Sequence, residues 1–479
     1  MPHAPQTVTE TARDIPVLGT WDVLVAGSGP AGCAAALAAS RGGARTLLVE
    51  RDGFLGGAPA GQLVTSILTT NAMDCQGIWH EFMREAKRRG GATGLVPHPK
   101  PLADYLLAGS LDPETVKATW DALMDQAGVD VLHNALACGA AVANGLLEAV
   151  FAETVAGRHA ILARRVIDCT GDGAVCAAAG VPWEQGRAGE PYGMACNLAC
   201  RLARVRRRER PLEEDRLPAI AAALDAARRE TGYDDADITA ELLARIGNRK
   251  RGRRGEPFDQ LSGPGTFLFE VNPLNPWDVT RAERQGRRFH WRTAELLRRC
   301  VPDQADGHVA FSAPHLAVRS SRRIRGRYTV TEDDVWAFRK YPDDGIARGS
   351  WDIDIYDPHG YDGCSVPRHT PEYQARIERM KRGDYYDIRY GAILAEGVEN
   401  LLVAGRCLSA EHVAQASLRI QQTCMATGQA AGTAAAMSLD RGAAPGDLEV
   451  SALLARLAAD RAAVEPAFEE IARLDYWRP

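Results

Sequence analysis

The sequence contains no run of eighteen or more apolar residues, which excludes a membrane-spanning helix of ordinary length. It has no excess of basic charge. Lys and Arg number 57 against 62 Asp and Glu, a formal net charge of −5, so no global positive field draws the chain to nucleic acid. None of the 11 cysteines is spaced CxxC, and the closest pair, Cys196 and Cys200, lies four apart. That spacing argues against a structural zinc site or a dithiol redox centre, so no metal is expected. The cysteines read instead as small buried apolar residues in a reducing compartment. The first twenty residues lack a basic start followed by an apolar stretch, so they read as a loose tail and the protein as cytoplasmic. What is present is a globular balance, 46% apolar and 25% charged over 479 residues, which is enough chain for two or three domain-sized units.

Residues 21–50 read as one βαβ unit. VLVAG is a short valine-rich run suited to a strand buried on both faces. AGCAAALAASRGG is small and helix-forming and stops at Gly42 and Gly43, and TLLVE is the next strand. Further on, Asp112 and Pro113 open a helix that Gly128 closes. LLEAVFAET and HAILARRVID alternate like a β-meander. From about 185 to 390 the character changes: the basic runs RVRRRERPLEEDR and RIGNRKRGRRGEP alternate with aromatics and prolines. These runs read as solvated faces of an inserted domain rather than a partner surface. Near 395 the first style returns, with an apolar strand, a loop and a long helix of small residues, and the last residues read as helices.

The strongest motif is Gly27-Ser28-Gly29-Pro30-Ala31-Gly32, a GxGxxG between a predicted strand and a predicted helix. Gly27 permits the tight turn, Gly29 removes a side chain that would collide with a pyrophosphate, and Gly32 lets helix and strand pack closely. The helix start offers unpaired N–H groups to that anion. Glu50 ends the second strand eighteen residues after Gly32, where a carboxylate accepts from ribose hydroxyls and repels a 2′-phosphate. The motif alone leaves NAD and FAD open. Three later blocks favour FAD: the double glycine Gly56-Gly57 before Ala58, the turn Thr170-Gly171-Asp172-Gly173 after an apolar strand, and the strand-to-helix block from Gly405 and Arg406 to Gln422 and Thr423.

Taken together, the blocks VLVAGSGPAGCAAALAAS…LLVER, LGGAPAGQLV, VIDCTGDGAVCAAAG, SSRRIRGRYTVTEDDV, PDDGIARGSWDIDIYDP, ENLLVAGRCLSAEH and QTCMATGQAAGTAAA cover most of the chain. In order and spacing the chain resembles the FAD-dependent oxidoreductases of the glutathione-reductase-like superfamily. The resemblance implies an α/β protein with a discontinuous Rossmann-like FAD-binding domain over 21–185 and 391–445. It also implies an inserted α+β substrate domain over 186–390 and a helical C-terminus over 446–479. It implies that Glu50 and Arg51 meet the adenosine ribose, that Gly56 and Gly57 lie along FAD, and that Arg406, Gln422 and Thr423 reach the ribityl chain and pyrimidine edge. Two departures stand out: Ile388-Arg389-Tyr390-Gly391 replaces the family's Ile-Pro-Tyr-Arg, and Tyr356 stands where the family often has histidine, although His359 follows.

A flavin carries the redox chemistry, and the protein supplies position and a proton acceptor. No second GxGxxG follows a strand, so no dedicated NAD(P)H domain is expected. The expected activity is therefore oxidation or desaturation of a small polar metabolite by hydride transfer to FAD. The acceptor could be oxygen, a quinone or a partner protein, and a homodimer is admitted. A reductase or monooxygenase using NAD(P)H and a non-catalytic flavin scaffold are the competing readings. Among His290, His315, His359, His369 and His412, the last sits between the final strand and the small-residue helix and is the best acid/base candidate. Arg389 and Arg419 flank that region and either suits a substrate carboxylate, while Arg419 is also counted among the residues expected to bind FAD. Arg322, Arg323, Arg325 and Arg327 form a dense cluster in which alternate spacing places Arg323, Arg325 and Arg327 on one strand face, with Arg323 the candidate for substrate contact.

Overall fold

In the computed structural model the valine-rich run is the inner part of β1 (Val17–Ala26), followed by α1 (Pro30–Arg41) and β2 (Thr46–Val49). The structure describes residues 7–69, 76–97, 107–187, 189–205, 216–247, 260–262, 266–301, 304–360 and 370–462. Val17, Gly19 and Thr20, which composition placed in the tail, already pair with Ala160, Ile161 and Leu162. Next come α2 (Pro113–Ala127), β3 (Asp130–Leu132), β4 (Leu136–Ala143), β5 (Leu146–Thr154), β6 (Gly157–Asp168) and, far along the chain, β7 (Leu401–Val403). The Asp112 carboxylate accepts from the Thr115 N–H at the start of α2, and Gly128 ends that helix in the left-handed region at φ 71°.

Parallel pairing runs β3-β2-β1-β6, and β7 joins the second half of β6. The first half of β6 pairs antiparallel with β5, and β5 with β4, which is the expected meander. Val23 and Val25 feed the core shared with α1, whereas Leu24 and Ala26 feed the core on the opposite face. This is why the run is apolar at every position rather than at alternate ones.

The long helix of small residues is α4 (Gln421–Asp440), preceded by the short α3 (His412–Leu418). It lies on α1 with backbone nearly touching backbone. A Cβ on Gly428 would stand 2.0 Å from the Ala31 carbonyl oxygen, and one on Gly432 would stand 2.1 Å from that of Ala35. The two ends of the chain are thereby joined at the start of α1.

The inserted region holds a core of its own around Leu202, Leu224, Leu243, Phe289 and Leu297. The stretch from Val330 to Leu394 behaves differently from its composition: Val330, Ile346, Ile353, Tyr386 and Ile388 pack into the same core as α1 and α4. One C-terminal helix, Val450–Ala459, falls within the described residues, and the chain from 463 onward lies outside them. Most of both basic runs, and His369, also lie outside them.

Candidate functional site

The C-terminal ends of β1, β2, β6 and β7 meet on one edge, where the strand order reverses between β1 and β6. Such a reversal opens a crevice in which a dinucleotide binds. Gly27 turns there at φ 90°, and a Cβ on it would lie 2.7 Å from the Cys169 carbonyl oxygen. A Cβ on Gly32 would lie 1.7 Å from the Gly27 carbonyl oxygen, so this glycine is required by packing. Gly29 is the contrast. Its φ of −60° suits any residue, and a Cβ there would meet no atom of the described residues within 4 Å. Neither its own backbone nor a described neighbour requires glycine here. Pro30 opens α1, Ala31 is buried against Gly405 and Gly428, and no side chain caps the helix or places an acid in its first turn. That leaves N–H groups and positive dipole for a pyrophosphate.

Glu50 is buried, and one carboxylate oxygen accepts from both the Ser28 N–H and hydroxyl at 2.7 and 2.6 Å. The other accepts from the Asp52 N–H at 2.9 Å. Ser28 thus fixes the acid, and the remaining lone pairs suit ribose hydroxyls. Arg51 beside it is exposed. Glu50→Gln keeps the shape but sets an NH₂ group against these donors. Replacing a charge-assisted contact worth about 1.5–3 kcal/mol, it should weaken FAD binding about tenfold or more by fluorescence titration.

Gly57 crosses the turn closely, its Cβ position 2.6 Å from the Gly29 Cα, and starts the helical turn Ala58–Gly61. Gly56 sits at φ 109° and donates to the Ser28 carbonyl at 3.0 Å. The TGDG turn is organised by Asp168, a residue sequence reading passed over. Its carboxylate accepts from the Thr170 N–H and hydroxyl and from the Cys176 N–H. The Thr170 hydroxyl therefore serves the turn. An aspartate closing an apolar strand two residues before a Gly turn was the available signal. Gly171 then approaches Arg406, which donates to Asp172 at 2.7 Å and to the Ser321 hydroxyl at 3.0 Å. Burial opposes the Asp172 charge, but Arg406 and Ser321 outweigh it and hold the carboxyl below the ordinary carboxylate range. Gln422 donates to the Leu68 carbonyl at 2.7 Å, and Thr423 is fully buried in the first turn of α4, which also starts without a side-chain cap. Four segments from both ends of the chain thus converge on the crevice.

The model of the FAD dependent oxidoreductase family matches residues 22–457. The chain belongs to that family. FAD is its cofactor, and the open space over Gly29, the fixed Glu50 and the uncapped start of α1 fit the ADP half of it. A geranylgeranyl bacteriochlorophyll reductase-like protein from Thermoplasma acidophilum is similar over 96% of this chain and 92% of its own, at 12% identity and TM-score 0.44. OxyS anhydrotetracycline hydroxylase from Streptomyces rimosus is similar over 91% and 65%, at 12% and 0.44. The myxobacterial chondrochloren halogenase CndH is similar over 91% and 78%, at 12% and 0.41. At these scores the likenesses say nothing of the reaction. No curated protein matches the chain.

The candidate catalytic residues separate sharply in this FAD-dependent oxidoreductase. His412, expected in a loop, is the first residue of α3. Both its ring nitrogens are buried without a hydrogen-bond partner among the described residues. Burial, then the nearby Arg323, Arg187 and Arg419 charges, push its pKa down to about 4, so the imidazole is neutral at pH 7. His290 is a buried structural residue between Leu198 and Ser312, His315 pairs with Asp52, and exposed His359 bridges Glu190 and Glu270.

Arg323, Arg325 and Arg327 do not share a strand face. The strand spans only Arg322–Ile324, and beyond it the chain turns away, so Arg323 is buried while Arg325 and Arg327 are exposed. Arg323 is held by the Gly186 carbonyl and Glu184. Arg389 is not free to clamp a substrate: Asp344 accepts from it at 2.6 Å and Tyr328 and Tyr341 flank it. Arg419, the residue that caps the C-terminus of α3, is tied to Asp354. Sequence reading missed Arg319. Its guanidinium lies 4.4 Å from the Tyr356 ring centroid and donates to the Ala195 carbonyl at 2.6 Å. Only its place just before the Ser-Ser-Arg-Arg block hinted at a site role.

Proposed function

We propose that this FAD-dependent oxidoreductase, of glutathione-reductase-like type, is a dehydrogenase or oxidase that oxidises or desaturates a small polar metabolite. The observation that carries this reading is His412, a buried imidazole kept neutral and given no hydrogen-bond partner among the described residues. Unpartnered buried polar atoms are costly to a fold and concentrate where a ligand completes them. FAD, when bound, supplies the capacity to take a hydride. His412 then receives the proton that leaves the substrate with it, and neutral imidazole is the form able to do so.

The surrounding chain holds that base in place. Gln415, one turn along α3, accepts from the Ser320 hydroxyl at 2.7 Å and donates to the Arg406 carbonyl at 2.8 Å, so α3 is fixed to the segment that lies against Asp172. Cys424 offers no competing nucleophile: burial pushes its thiol up to about 12 and it stays protonated. An anaerobic panel of metabolites tests the reading. At least one polar metabolite should bleach the flavin band with NADH and NADPH inert, whereas rapid bleaching by NADPH alone would favour a monooxygenase or reductase instead.

A further inference from the structure

Around His412 the positive charges are matched unequally. Arg323 has Glu184, and Arg187 has Glu190 and Asp357. Arg419 has Asp354 at 3.3 Å. Arg319 forms no ion pair among the described residues: its contacts are the Ala195 carbonyl and the Phe267 and Tyr356 rings. Burial and the like charge of Arg419 both weigh against its proton. The four arginines and the four carboxylates named here balance in sum, but Arg319 is the one of these four arginines with no carboxylate of its own among the described residues.

The setting is constructed rather than incidental. Phe267 and Tyr356 stack at 5.1 Å and 29°, and the Arg319 guanidinium carbon lies 5.3 and 4.4 Å from their ring centroids. The backbone beneath is pinned, since Ala195 donates from its N–H to the Tyr356 carbonyl at 3.1 Å. Ser320, the next residue, is held by Gln415 of α3. A guanidinium has five N–H donors, of which the Ala195 carbonyl is the one acceptor met among the described residues, and the planar fork of the others matches a carboxylate. A Cβ on Gly193 would stand 3.7 Å from the His412 Cε1, so the same 193–195 segment touches both the base and the Arg319 anchor.

We propose that Arg319, supported by Arg419, is the carboxylate-binding residue of the substrate site and that the substrate is a monocarboxylate. This rests on His412 marking the substrate site. A single arginine without its own acid favours a monoanion over a dianion such as phosphate, because a second negative charge would be buried without a guanidinium left to meet it.

The test uses FAD-saturated protein and binding alone, read by calorimetry and by perturbation of the flavin absorption band. The probes are propionate, its uncharged isostere propionamide, and inorganic phosphate. Propionate should bind at least tenfold more tightly than propionamide or phosphate. Arg319→Gln should remove that preference while moving propionamide less than twofold. Equal affinity for propionate and propionamide, or tighter phosphate, overturns the proposal on the unaltered protein, even if the variant does not fold. Equal weakening of both probes by Arg319→Gln overturns it as well. No turnover is needed, so bleaching by NADPH alone would sink the oxidation reading and leave this result standing.

Discussion

Gly29→Ala should fold like the parent and bind FAD about 10- to 100-fold more weakly. The backbone at Gly29 accepts alanine, and the added methyl meets no atom of the described residues within 4 Å. In the apo protein the substitution is therefore close to neutral, and melting temperature should move by no more than a degree or two. In the holoprotein the methyl enters the space over the turn, where FAD must pass. Overpacking by one carbon costs about 1–3 kcal/mol, which converts to the affinity loss above. Fluorescence titration and apo-protein melting check the two halves separately. A large loss of apo stability would mean that the space belongs to the protein's own packing. Gly32→Ala is the internal contrast, since its methyl would sit 1.7 Å from a carbonyl oxygen and the fold itself should suffer.

His412→Gln should retain FAD and lose about 10²- to 10⁴-fold in the rate of flavin reduction by substrate, the range that a positioned base contributes. The pH dependence follows from the pKa of about 4. Above it the imidazole is neutral and competent, so kcat/KM should hold down to about pH 4 and fall below it, rather than near the ordinary 6.5. Stability obeys the same sign. Unfolding returns the imidazole to its ordinary proton affinity, so the unfolded chain binds more protons between pH 6.5 and 4. The stability gained by keeping His412 neutral is complete above pH 6.5 and is lost as pH falls toward 4. Stopped-flow reduction and acid unfolding of the variant measure both effects, and an acid limb near 6.5 in the parent would contradict the assignment.

The nucleotide-binding half was legible because its constraints are local. A GxGxxG must sit between strand and helix, and each of its glycines answers to a neighbour within a few residues or to the ligand. The same holds for Asp112 and Gly128, whose capping roles depend on adjacent backbone. The packing of α1 on α4 was visible only as a run of small residues. That Gly428 and Gly432 lie against Ala31 and Ala35 depends on a contact between chain ends, which no local pattern encodes.

The substrate side was less legible for a related reason. Arginine looks the same in sequence whether it is matched or unmatched. Alternate spacing suggested a strand face for Arg323, Arg325 and Arg327, but the strand ends at Ile324. Arg389 drew notice through its departure from the family pattern, and its charge proved to be absorbed by Asp344. Arg319 drew none, although no acid pairs with it among the described residues; its aromatic partners Phe267 and Tyr356 are distant from it in sequence. Val330 to Leu394 was likewise assigned by its polar, aromatic composition, while its apolar positions complete the core beneath α4.

The central claim is that one FAD site is assembled from both ends of the chain. Amide hydrogen exchange of the apo protein with and without FAD measures it most directly. FAD should protect Gly27–Gly32, Gly171–Gly173 and Gly405–Thr423 together and to a similar extent. Protection confined to the N-terminal turn, with the segment from Gly405 to Thr423 exchanging as before, would contradict the account.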